Sequence, residues 1–176
     1  SSDKSAKGTK RFHTRVTDKN MEKELQSLFA AKKTLADDIQ VLTRLIEDRK
    51  TQFNDAQDAL GREFKVLPDR KYEYDADKGI IYQGGARDAS VDDAGGGRGG
   101  RSVKTEHFKM ENAEQGRRFI DLLGLKRRAQ EQEQALDAML REWQVKQAKV
   151  DEALSGRFDM KPGRVYDYDA KSMKIY

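Results

Sequence analysis

The stretch PDRKYEYDADKGIIY, residues 68–82, returns 94 residues later as PGRVYDYDAKSMKIY, residues 162–176. Extended backward at the same offset, residues 58–82 and 152–176 share 11 of 25 positions without a gap. The rarest residues agree with that offset. The chain holds two prolines, Pro68 and Pro162, and two histidines, His13 and His107, and each pair is 94 residues apart. The chain therefore reads as a tandem duplication. A basic tail (1–10) precedes repeat 1 (11–82), a glycine-rich linker (83–104) and repeat 2 (105–176).

Within repeat 1, Leu28, Leu35, Ile39, Leu42, Ile46, Phe53 and Leu60 recur at spacings of three, four and seven. That is the stripe of a helix paired along one face. Thr17 or Asp18 offers the N-cap and Gly61 a stop, which predicts a helix of about 40 residues. Repeat 2 carries the stripe through Leu122, Leu136, Leu140, Trp143, Val150 and Leu154 to Ser155-Gly156, with Gly116 and Gly124 weakening its first turns. After each helix, the alternation around Tyr72 and Tyr74, or Tyr166 and Tyr168, predicts a strand, a turn and a return strand. Gly79 suits the first turn; Met173 at the matching position leaves the geometry of the second open. A lone hairpin is marginal in water, so each is expected to lie on a helix end.

The fold class expected is mainly α: a duplicated long helix plus β-hairpin, with the helices paired as an antiparallel coiled-coil rod and a small hairpin at each end. Parallel pairing would set Lys32 against Lys126 and Ile39 against Glu133. Antiparallel pairing with residue numbers adding to 182 sets Leu28 against Leu154, Leu42 against Leu140, and Leu60 against Leu122. Sequence leaves open whether the pairing is within one chain or between chains, as in a swapped dimer.

With 38% charged against 36% hydrophobic residues, the chain suits a narrow buried stripe better than a thick core. The absence of cysteine excludes a disulfide framework, a thiolate zinc site and a cysteine nucleophile. No apolar run approaches membrane-spanning length, so a soluble, intracellular setting is the expectation. No phosphate loop, metal-ligand spacing or catalytic constellation stands out. We therefore expect no enzyme activity, cofactor or metal.

The function expected is that of a structural or assembly protein, in a virion or another large complex, with protein partners that include copies of itself. The hairpin residues Phe64, Tyr72, Tyr74, Ile81, Tyr82, Phe158, Tyr166, Tyr168, Ile175 and Tyr176 are the candidate interface. The alternative is a nucleic-acid-associated accessory protein. Its polyanion contacts would be Lys4, Lys7, Lys10, Arg11 and Arg15 near the N-terminus, with Arg98 and Arg101 in the linker.

Overall fold

A computed structural model describes residues 11–84 and 104–176. In chain order the elements are β1 (Thr14–Arg15), α1 (Lys19–Phe64), β2 (Tyr72–Asp75), β3 (Ile80–Gly84), β4 (Lys104–Lys109), α2 (Ala113–Phe158), β5 (Tyr168–Asp169) and β6 (Lys174–Ile175). The protein is mainly helical, with two long helices packed together and small antiparallel sheets. No described helix is long and apolar enough to cross a membrane.

Both helices start on a side-chain cap. The Met21 N–H donates to Asp18 Oδ1 at 2.8 Å, and the Gln115 N–H donates to Asn112 Oδ1 at 2.9 Å. Neither helix stops where a glycine invited it to. α1 runs through Gly61 to Phe64, and α2 runs through Gly156 to Phe158. The two or three further residues carry Phe158 and Phe64 into apolar clusters at 3% and 0% exposure. Burying a phenylalanine is worth about 2–3 kcal/mol, more than the roughly 1 kcal/mol that a helical glycine costs. The terminators are Lys65 and Asp159, non-glycine residues in left-handed conformation at φ 57° and 51°. Beyond them the Val66 N–H reaches back to Leu60 O and the Met160 N–H to Leu154 O.

Each sheet has three strands where sequence indicated a two-stranded hairpin. β4 adds to the β2–β3 hairpin, and β1 adds to β5–β6. The added strands take matching registers: Phe108 lies opposite Ile81, and Thr14 opposite Ile175. Gln83, Gly84 and Lys104, assigned to the linker, are therefore strand residues. The rest of the linker and the tail lie outside the described residues. Met173 takes the same left-handed backbone as Gly79, φ 54° against 67°. Its carbonyl accepts from the Val16 N–H as the Gly79 carbonyl accepts from the Met110 N–H.

The chain divides into two compact units, named here by their place in the sequence. The central unit is Leu45–Ala135; the terminal unit joins Ser1–Arg44 to Leu136–Tyr176. Each contains the helix end and hairpin of one repeat with the added strand and helix start of the other. Leu35, Leu42, Ile46, Leu60, Leu122 and Leu154 of the expected stripe are buried. Leu28, Ile39, Phe53, Leu136, Leu140, Trp143 and Val150 are only half-buried. Cross-helix ion pairs Glu24–Arg157 and Lys32–Asp151 in the terminal unit, and Glu63–Arg118 in the central one, fall within one residue of the 182 register.

Candidate interaction site at the helix caps

In the central unit, the carbonyl at the end of α1 would be unpaired inside the helix. His107 on β4 satisfies it, donating from Nε2 to Phe64 O at 3.0 Å. The acceptor is a carbonyl, so Nε2 carries the proton. The imidazole also leans on Tyr72, ring centroids 4.8 Å apart at 56°. The Tyr72 hydroxyl accepts from the Leu67 N–H at 3.0 Å and so holds the loop that leads to Pro68. Beneath this polar layer, Phe64 meets Phe108 and Phe119 edge-on at 5.4 and 5.1 Å. Tyr74 meets Phe119 at 5.2 Å.

The terminal unit repeats these bonds 94 residues away. His13 Nε2 donates to Phe158 O at 2.8 Å, and its ring lies 4.8 Å from Tyr166 at 56°. The Lys161 N–H donates to the Tyr166 hydroxyl at 2.9 Å. Asp75 and Asp169 open the two hairpin turns alike, each accepting from the backbone N–H two residues on. Ser172 and the Lys171 N–H hold the Asp169 carboxyl below its usual range.

Two positions differ in kind. Tyr168 donates to the Glu22 carboxylate, and burial, that bond and the charge of Glu22 push its phenol up to about 12. At the matching place in the central unit stands Gly116, where a Cβ would sit 2.5 Å from the Tyr74 hydroxyl. The second difference lies beside the proline loop. Lys32 pairs with Asp151 at 3.3 Å in the terminal unit. Their counterparts are Lys126, which lies over the Phe53 ring at 5.3 Å, and Gln57, whose amide finds no partner among the described residues. Burial lowers the Lys126 pKa.

The proposed interface residues thus fall into two sets. Phe64, Ile81, Phe158 and Ile175 are buried in the clusters and present no surface. Tyr72, Tyr74, Tyr82, Tyr166, Tyr168 and Tyr176 are half-buried, several with hydroxyls already bonded inside the cap. The exposed apolar side chains of the caps are others. Leu67, 45% exposed, stands on the central proline loop; Val165, 93% exposed, and Phe12, 58% exposed, stand on the terminal cap. On the central unit's part of α2, Ile120 and Leu123 are exposed one turn apart.

Val165 and Tyr166 line a groove with Phe29, Lys32, Asp151 and Pro162. Gln57, Gly61, Val66, Leu67 and Pro68 line the corresponding groove of the central unit. Of the basic set, Arg11 and Arg15 are exposed, while Lys4, Lys7, Lys10, Arg98 and Arg101 lie outside the described residues. Among the described residues no three His, Asp or Glu side chains converge as a metal site would require. No family model, curated protein or solved structure matches the chain.

Proposed function

We propose that this chain is a non-enzymatic structural or assembly component, a tandem duplicate whose helices pair as an antiparallel coiled coil and whose caps contact other proteins. The duplication is supported by bonds that recur at one offset: the histidine on a helix-terminal carbonyl, the tyrosine hydroxyl on a loop amide, and the left-handed terminator. The coiled-coil reading is supported by cross-helix ion pairs that share one register. The observation that carries the interaction role is an exposed apolar residue beside the groove of each cap, Leu67 just before Pro68 and Val165 three residues after Pro162, at positions that do not correspond between the repeats. Apolar side chains beside a groove on a hydrogen-bonded cap are the kind of feature a protein contact would use.

A photo-crosslinking amino acid at position 67 or 165, in the organism's own extract, tests this role. Discrete protein adducts at both, absent from the same probe at exposed Glu142, are expected. Adducts equally frequent at position 142 would contradict it.

A further inference from the structure

Positions 24 and 118 are 94 residues apart, as are 63 and 157, so the ion pairs Glu63–Arg118 and Arg157–Glu24 occupy matching places. Their charges are reversed. Glu63 takes the Arg118 fork on both carboxylate oxygens, from Nε at 3.2 Å and Nη2 at 3.0 Å. Arg157 Nη2 meets Glu24 at 2.5 Å. Repeat 1 therefore contributes two glutamates, and repeat 2 two arginines. If repeat 1 paired with a second copy of itself, Glu63 would face Glu24. Repeat 2 paired with itself would set Arg157 against Arg118.

The apolar clusters carry the same asymmetry in volume. Repeat 1 brings the smaller Val66 on the hairpin side of one cluster and Val16 and Leu25 on the strand and helix-start side of the other. Repeat 2 brings Met160 on the hairpin side and the bulky Phe108, Met110 and Phe119 on the strand side. At these matched positions each cluster combines a smaller side chain with a larger one, while Met21 and Phe29 of repeat 1 also pack against the terminal cluster where repeat 2 has Gln115 and Leu123. Repeat 1 paired with a second copy of itself would join two smaller contributions at these positions in both clusters, and repeat 2 paired with itself would join two larger ones; underfilling and crowding both destabilise.

We infer that charge and volume together form a pairing code: repeat 1 accepts repeat 2 and rejects a second copy of itself. The inference rests on the reading that the two repeats are tandem duplicates of one unit. Like charges set opposite each other are the usual way to exclude a wrong partner, even where the correct pair contributes little. The code leaves the caps free to serve separate surfaces, since neither can be replaced by a duplicate of the other.

Full-length variants of unchanged net charge test it, with association measured by sedimentation on the purified chain. E24R/R118E sets like charges together in the observed pairing and opposite charges together in the self-pairing. E63R/R157E does the same from the other side of the contact. Combining all four substitutions restores the code with its signs exchanged. At low salt both doubles should raise the dimer association constant roughly tenfold over wild type, and the quadruple should return it to the wild-type value. Spin labels at Ser27 and Ser155 identify the dimer, because their short distance survives a swapped dimer and is lost in self-pairing. Doubles that lose stability yet associate as wild type does would overturn the code, showing that these pairs hold the helices without choosing the partner. So would a quadruple that associates like the doubles. Neither result bears on Leu67 and Val165, which this experiment leaves intact.

Discussion

The central and terminal caps are joined by the same main-chain and capping bonds yet filled by different side chains. In the central cap three phenylalanines, 64, 108 and 119, stack edge to face, and Gly116 vacates the space that the Tyr74 hydroxyl occupies. In the terminal cap Leu25 stands at the place of Phe119, and Glu22 at the place of Gly116 accepts from Tyr168. One cap closes on ring contacts and the other on a buried-edge hydrogen bond. The histidine, the tyrosine and the left-handed terminator recur in both caps and hold the backbone alike, whereas the side chains that fill the two caps differ.

The largest expected break is at the ring cluster. Phe64→Ala should cost about 4–5 kcal/mol and Phe158→Ala about 3 kcal/mol in chemical denaturation, because Phe64 loses two ring partners as well as its buried area. Equal losses would mean that the edge contacts add nothing beyond burial. Next is Gly116→Ala. The new methyl meets the Tyr74 hydroxyl and should destabilise by about 1–2 kcal/mol, although alanine favours the helix. Tyr74→Phe in the same chain removes the clashing oxygen and should recover about 1 kcal/mol. An uncoupled double mutant, measured as a cycle, would place the clash elsewhere.

The terminators give a smaller effect of opposite sign. Lys65→Gly and Asp159→Gly should each stabilise by about 0.5–1 kcal/mol, since glycine relieves the left-handed strain. Met173→Gly should gain less than either, because Met173 also packs on the terminal cluster. A thermal melt that ranks Met173→Gly first would show that its side chain does not contribute there.

Alkaline pH distinguishes the caps most gently. The Tyr168 phenol is raised from 10.0 to about 12, so the folded state holds its proton more tightly than the unfolded state does. The stability this contributes is complete below pH 10 and is lost as pH rises through 12. Tyr168→Phe should flatten that part of the stability profile, and Glu22→Gln should lower the tyrosinate transition seen at Tyr168 by absorbance. A Glu22→Gln transition that does not move would separate the shift from the carboxylate.

The helices and hairpins were legible because their signals are local. The stripe of Leu35, Leu42 and Ile46 has helical spacing, and Tyr72 and Tyr74 alternate as a strand does. The helix ends were not. Gly61 and Gly156 look like stops, but the ends are set by Phe64 and Phe158 finding clusters built partly from the other repeat. The added strands were hidden for the same reason. Thr14–Arg15 is too short to show a period, and Lys104–Lys109 is polar at both faces except at Phe108. The histidines did announce themselves by recurring at the common offset, although their acceptors, Phe158 O and Phe64 O, could be identified only once each repeat was placed against the other's helix end. The reversed ion pairs needed the register as well.

The most direct test of the account is a pair of spin-label distances in a chain that has no cysteine of its own. Exposed Ser27 and Ser155 sample the terminal unit; exposed Arg62 and Asp121 sample the central one. Helices packed at 8–10 Å predict label separations of about 20 Å in both, unchanged when labelled chains are diluted into unlabelled ones. Separations well beyond that in either pair would contradict caps built jointly by the two repeats, and a short distance that disappears on dilution would move their union from one chain to two.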